Sequence, residues 1–376
     1  MSQKIQEFLM QRLPPATPFL VIDLDIIKER FQALRQLFPD AQIYYAVKAN
    51  PEPEILKLLV KLGANFDAAS LFEIEQCLRV GASAQQISYG NPIKKAQDIA
   101  QAYKLGVRLF NFDSFSELEK LATHAPGSQV CCRILVETSG AEWSLSRKFG
   151  CESRMAYDLL LLSRSLGLNP CGISFHVGSQ QTDPNQWDEP IRQASSLFSR
   201  LAERGINLSV LNLGGGFPAH YKVPILNTQA YATTIQDAMN RHFTTHPIVM
   251  LEPGRSLVAD AGTIQTEVVL IAKKSYGDRH RWIFLDIGKF GGLIETLDEC
   301  IRYRLRTPHD GSAAGPVILA GPTCDSADIL YDKAGYELPL DLKIGDRIEI
   351  LSTGAYTHTY SSVGFNGFPP LPVYCI

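Results

Sequence analysis

Eight short apolar runs, each paired with a helical pattern, recur between residues 43 and 252, and this alternation restricts the possible folds more than any other feature. The runs are 43–47, 65–69, 87–90, 108–112, 130–136, 172–177, 210–213 and 248–252, rich in β-branched, aromatic and small residues. Eight strands alternating with helices over roughly 210 residues match an α/β fold of the (β/α)8 (TIM) barrel type, for which about 250 residues is typical. A doubly wound open sheet is the alternative. It wants a Gly-rich turn after its first strand, and G-x-G-x-x-G is absent there. With 376 residues the chain exceeds the length at which one core stops growing, so a second domain is expected. Past residue 257 the texture changes: 263–272, 281–287, 317–320 and 346–351 are strand-like, with Gly, Pro and Asp turns and one helical stretch over 293–303. A further strand-like run, Phe19-Leu20-Val21-Ile22-Asp23, precedes the first helical pattern at 24–37. The expected organisation is a barrel over 24–257 and a C-terminal mostly-β domain, barrel or sandwich, built from 1–23 and 258–376.

Composition removes several functions. Hydrophobic residues make up 45% and charged residues 20%, with a net charge of -3, which gives no electrostatic case for nucleic acid or an anionic membrane. No window reaches the ~18 apolar residues of a membrane span, and residues 1–15 have no continuous apolar core of a signal peptide. Eight cysteines without a C-x-x-C pair point to reduced thiols and a cytoplasmic protein. His242 and His246 have the i, i+4 spacing of metal ligands, but no Glu follows His242 and no third ligand is evident, so no metal is expected.

The chemistry centres on Lys48, at the end of the strand-like Ile43-Tyr44-Tyr45-Ala46-Val47 and before Asn50-Pro51. In a parallel barrel the active site lies at the carboxyl ends of the strands, and an amine held there by apolar neighbours can lose its proton and attack a carbonyl. Polar residues collect near the other strand ends: Asp67, Arg133, His176, Ser179, Gly214-Gly215-Gly216 and Glu252-Pro253-Gly254-Arg255. Three glycines in a row permit an anion nest, and Arg255 with Ser179 offers donors to phosphate oxygens. Glu252 suits a pyridine nitrogen that must stay protonated, and His176 offers a flat ring to stack on an aromatic cofactor. A nucleophilic lysine, a phosphate nest, an arginine and a ring-nitrogen carboxylate together describe pyridoxal 5'-phosphate (PLP). Residues 143–150 are expected to form a loop at the barrel mouth that closes over substrate.

Tyr45-Ala46-Val47-Lys48-Ala49-Asn50, Phe175-His176-Val177-Gly178-Ser179-Gln180, Leu213-Gly214-Gly215-Gly216-Phe217-Pro218, Glu252-Pro253-Gly254-Arg255 and Gly321-Pro322-Thr323-Cys324-Asp325-Ser326 resemble, in order, the motifs of the alanine-racemase-fold group of PLP-dependent amino-acid decarboxylases, in particular its ornithine/lysine branch. The resemblance runs from about Phe19 to Phe368. It implies that Lys48 is the Schiff-base lysine, that Asp67 and Arg133 support the site, and that His176 stacks on the cofactor ring. Glu252 would pair with the pyridine nitrogen, Ser179, Gly215, Gly216, Arg255 and Tyr356 would hold the phosphate, and Gly214 and Gly254 would also belong to the cofactor site. It implies further a homodimer with sites shared between subunits. Cys324 would come from the partner chain to protonate the product carbon, with Asp325 contacting the substrate's distal amine. Without the resemblance, Cys324 reads as a small buried hydrophobe beside a cap.

Members of the group act on ornithine, lysine, arginine or diaminopimelate, and the distal end of the substrate separates them. An opposite charge at about 4 Å contributes roughly 4 kcal/mol before desolvation at an effective dielectric near 20, so the sign of the pocket dominates. The segment 293–300 is acidic, carrying Glu295, Asp298 and Glu299, and Asp298 is the expected reader of the distal amine. The expected reaction is decarboxylation of L-ornithine to putrescine, with L-lysine as a side substrate. The alternatives are a lysine decarboxylase, a diaminopimelate decarboxylase or a catalytically dead regulator. The last is disfavoured because Lys48, Glu252, Arg255 and Cys324 are all present.

Overall fold

The computed structural model describes residues 3–10, 15–137, 139–143 and 148–376. Two compact units emerge, one formed by Lys28–Pro218 and Leu226–Ser256, the other by Met1–Ile27, Ala219–Ile225 and Leu257–Ile376. Within the span expected to be barrel, the short segment Ala219–Ile225 thus groups with the β unit.

The first unit is a closed barrel of eight parallel strands in sequential order: β1 Gln42–Ala46, β2 Asn65–Ala68, β3 Ile87–Tyr89, β4 Leu109–Phe112, β5 Gln129–Arg133, β6 Asn169–Ser174, β7 Val210–Asn212 and β8 Ile248–Leu251. Closure is made by β8 on β1, where Met250 pairs with Gln42 and Leu251 with Ile43. All eight expected strands are present. Most end one to three residues before the sequence pattern does, because the apolar run continues into the buried start of the following loop, as at Ile134, Phe175, Val177 and Leu213.

Helices connect the strands. Pro53–Lys61, with proline in its first turn, buries Ile55, Leu56 and Leu59, each worth about 1.5–3 kcal/mol. Leu71–Arg79 starts at Ser70, whose hydroxyl accepts from Glu73 N at 3.2 Å while Glu73 Oε2 accepts from Ala69 N at 2.6 Å. This reciprocal closure resembles a capping box, and its serine cap is worth about 1 kcal/mol. The helix Phe115–His124 opens the same way, with Ser114 Oγ accepting from Glu117 N, but its Glu117 carboxylate turns elsewhere.

The second unit is a nine-stranded mostly antiparallel sheet among the described residues, centred on the long strand Gly262–Ala272. Phe19–Ile22 pairs antiparallel with that strand and parallel with Val373–Cys375, which joins both chain ends to one sheet. The segment expected to be helical over 293–303 is instead a kinked 3-10 turn, Ile294–Glu299. Leu297 is extended and Asp298 has φ +51°. No helix among the described residues is long and apolar enough to cross a membrane.

Candidate active site

Each polar residue of the barrel site is set by its place at a strand end. Lys48 sits on a 3-10 turn, Val47–Ala49, directly after β1. Val47 and Ala49 are buried on either side of it, and Tyr45 Oη donates to Asn50 O at 2.8 Å, so the turn is pinned and only the lysine projects. Lys48 is exposed and faces charged groups rather than the apolar neighbours expected from the strand pattern. The cause is local: the apolar residues of β1, with Val47 and Ala49 of the turn, are buried, and Lys48 between them is exposed.

A cavity of about 190 Å³ brings together Lys48, Asp67, Arg133, His176 and Glu252, from the ends of β1, β2, β5, β6 and β8. Asp67 Oδ1 is buried with no hydrogen-bond partner among the described residues. Burial and the neighbouring Glu252 push its carboxyl well above the usual range, against the pull of Lys48 and Arg133. Gly90, just past β3, leaves the room: a Cβ there would lie 1.8 Å from Asp67 Oδ1.

Glu252 follows β8 and is fixed by a residue that sequence reasoning missed. Asn212 Nδ2 donates to Glu252 Oε1 at 2.5 Å, and Asn212 Oδ1 accepts from Gly214 N at 2.9 Å. The sequence signal was a lone amide between Leu211 and Leu213 in a buried strand, a placement that demands partners. His176 accepts from Gly178 N at its Nδ1, 3.0 Å away, so the hydrogen-bond pattern assigns the ring proton to Nε2. Burial, then Arg133 and Lys48, hold its pKa well below the usual histidine value, and the ring is neutral at physiological pH. The Arg133 guanidinium lies 5.1 Å from the centroid of Phe149.

The three glycines after β7 are required by packing as well as by any anion. Gly214 and Gly216 have φ +68° and +97°, and a Cβ on Gly215 would lie 2.6 Å from Glu252 O and 3.3 Å from His176 Nε2. Arg255, only 3% exposed, directs Nε and Nη2 at Ser179 Oγ, 3.3 and 3.1 Å away, beside the buried Gly254. Ser179 begins a short strand, Ser179–Gln181, paired with Ala141–Trp143, a ribbon the sequence pattern did not reveal. Of the expected mouth loop, residues 144–147 lie outside the described residues.

The remaining expected site residues belong to the β unit. Cys324 is exposed, not buried, and its amide donates to Asn366 Oδ1 at 3.0 Å. Asp325 Oδ1 accepts from Ala327 N at 2.8 Å. The loop carrying them is held by Asp328, 2% exposed, which accepts from the amides of Lys289 and Thr323. Tyr356 takes φ +54° within Gly354-Ala355-Tyr356. In the acidic turn the three carboxylates diverge. Glu295 is 2% exposed, Glu299 accepts from Asp332 N and Lys333 N at 2.7 Å, and Asp298 is exposed. His242, raised by its spacing with His246, bonds Asp188 Oδ1 at 3.1 Å.

The barrel site fits PLP on its own chemistry. It offers an amine at a strand end, a carboxylate fixed by an amide, a neutral imidazole, a buried guanidinium-hydroxyl pair, a wall of glycines and one orphaned carboxylate oxygen. A parallel barrel carrying this set is the scaffold of a PLP-dependent enzyme.

The chain belongs to the pyridoxal-dependent decarboxylases: the model of that family's pyridoxal-binding domain matches residues 24–259. Its cofactor is PLP. It is 37% identical over 369 residues to a lysine/ornithine decarboxylase of Selenomonas ruminantium, covering 98% of this chain and 91% of that protein. To an ornithine decarboxylase of Schizosaccharomyces pombe it is 34% identical, covering 93% and 81%. The solved structure of SrLDC in complex with PLP and cadaverine superposes with a TM-score of 0.89 at 36% identity, covering all of this chain and 94% of that one.

Proposed function

We propose that the protein decarboxylates L-ornithine to putrescine and CO2, and L-lysine to cadaverine as a side reaction, in the cytoplasm. The observation that carries the reading is the convergence of Lys48, Asp67, Arg133, His176 and Glu252 on one cavity. The acidic Asp298 and Asp325 of the β unit, and relatives named for ornithine and lysine, support a substrate with a distal ammonium. When bound, PLP supplies an aldehyde that joins the substrate amine and an electron-accepting ring that makes loss of CO2 feasible.

The residues then divide the work. Lys48 Nζ would hold the cofactor through its aldehyde. Glu252, oriented by Asn212, would accept the ring N–H, and His176 would face the ring as a neutral imidazole, adding no charge beside it. Asp67 and Arg133 line the cavity beside Lys48 and would support the bound cofactor. Ser179, Gly215, Gly216, Arg255 and Tyr356 would bind its phosphate, and Gly214 and Gly254 would complete the cofactor site. Cys324 Sγ gives its proton to the substrate carbon that has lost its carboxylate, and Asp325 and Asp298 receive the distal ammonium. Cys324 and Asp325 serve the partner's site in a homodimer. The eight free cysteines suit a reducing compartment.

The test is a competition assay. Purified protein with PLP receives equal L-ornithine, L-lysine, L-arginine and meso-diaminopimelate, and the products are quantified together. Putrescine in excess supports the reading. Cadaverine in excess keeps the mechanism and lengthens the pocket by one methylene, a difference worth only about 1–3 kcal/mol. Agmatine, or lysine made from diaminopimelate, overturns the substrate assignment, and no product overturns the activity.

A further inference from the structure

Behind the cavity wall lies a buried ion pair that the proposed chemistry does not use. Lys94, whose side chain is fully buried, follows β3 and lies 3.0 Å from Glu117 Oε1 on the helix Phe115–His124. Glu117 is 3% exposed. Its other oxygen, Oε2, is 2.5 Å from Lys120 Nζ, and Lys120 in turn donates to Lys94 O. The Lys94 ammonium also donates to Asn91 O at 2.7 Å and Asn111 O at 2.6 Å.

Those two carbonyls belong to residues that line the active-site cavity, one after β3 and one on β4. Asn91 Nδ2 extends the link by donating at 3.2 Å to Ala69 O, another lining residue. One buried cation therefore joins three neighbouring strand ends of the site. The pair is also diverted from ordinary use. Ser114 and Glu117 have the spacing of a capping box, as do Ser70 and Glu73, yet Glu117 gives its carboxylate to the two lysines while Glu73 reaches back to the backbone. A buried ion pair is weak evidence for stability, since an apolar replacement of similar volume often serves equally well. Its contacts with the cavity wall point instead to a geometric role.

We propose that Lys94 is a positioning residue for the active site: its ammonium, held by Glu117, fixes the carbonyls of Asn91 and Asn111 and so sets the cavity wall formed by β3 and β4. The inference rests on the reading of that cavity as the PLP site. Discharging the ammonium weakens the arrangement, because it turns the charge-assisted bonds to the two carbonyls into neutral ones and takes from buried Glu117 its fully buried counter-ion. Burial brings the Lys94 pKa down to about 8, with Glu117 opposing the shift most strongly. The other groups facing it are Lys120, which lowers it further, Asp113, which raises it, and the Tyr89 ring, whose centroid is 5.3 Å away. The wall thus loosens as pH rises through about 8.

The test compares wild type with Lys94→Arg and with the double variant Lys94→Met/Glu117→Gln, which removes both charges and leaves no buried ion unpaired. Thermal unfolding reports folding, PLP titration of the apoprotein reports the cavity, and kcat and kcat/KM are followed from pH 6 to 9.5. The double variant is expected to melt near wild type while PLP affinity falls about tenfold or more and kcat drops with it, since an error near 1 Å costs up to about 100-fold. Lys94→Arg is expected to retain most activity at pH 7 and to lose the alkaline limb near 8, because guanidinium does not discharge there. A folded double variant with wild-type PLP affinity and an unchanged alkaline limb overturns the proposal. Failure of both variants to fold also overturns it, since Lys94 would then serve stability alone. A wild-type protein that takes up no PLP defeats the cavity reading itself, a separate outcome.

Discussion

Gly90→Ala isolates the role of Asp67 more cleanly than replacing Asp67 does. Gly90 does not occupy the left-handed region, so alanine adds no backbone strain. Its Cβ would lie 1.8 Å from Asp67 Oδ1 and 2.8 Å from Cγ, against an ordinary contact of 3.4 Å or more, so the carboxylate has to retreat by about 1.6 Å. A displacement near 1 Å in a reacting constellation costs about 100-fold, and overpacking costs about 1–3 kcal/mol of stability. At about 2–4 °C per kcal/mol for a unit of this size, Tm falls by about 2–12 °C. The assay is steady-state decarboxylation together with PLP titration of the apoprotein, in a double-mutant cycle with Asp67→Ala. With the carboxylate already gone, Gly90→Ala should cost almost nothing more in PLP affinity. The reasoning is refuted by a Gly90→Ala enzyme within threefold of wild-type kcat/KM, or by an equal further loss of PLP affinity in the Asp67→Ala background.

Two other outcomes follow from the site. His176 has a folded pKa depressed below its unfolded value near 6.5, so on acidification the unfolded chain takes up a proton that the folded ring refuses. Its contribution to stability is therefore full above about 6.5 and shrinks as pH falls below it, and a His176→Phe variant should show a shallower loss of Tm between pH 6.5 and 5. Arg255→Lys removes the second of two donors directed at Ser179 and should weaken PLP affinity about 10–100-fold while leaving Tm within about 3 °C, measured by titration of the apoprotein and by thermal melts.

Most of the barrel was legible because a strand covered on both faces must be written in apolar residues, and eight such runs leave few arrangements. The strand-end positions of Lys48, His176 and Glu252 followed from that pattern, and their gathering into one cavity followed from the barrel. Other features had no such signature. Asn212 matters because of where its amide points, and the ribbon Ala141–Trp143 with Ser179–Gln181 is too short to carry a period. The acidic turn was misread as a helix because apolar residues at 293, 294, 297 and 301 mimic helical spacing, while the break lies in the backbone of Leu297 and Asp298. Cys324 shows the reverse failure. Cysteine is usually buried, and only the loop held by Asp328 turns it outward.

The order of strands around the barrel also governs when this protein can acquire its cofactor. The cavity draws on β1 and on β8, which touch each other although nearly the whole barrel sequence separates them. A nascent chain halted before Glu252 has emerged from the ribosome owns a lysine but no ring-nitrogen partner, and its first strand waits with an open edge. Loading with PLP therefore has to wait until the chain has been made through Glu252. A product truncated before that point has the lysine without the carboxylate that would face the ring nitrogen.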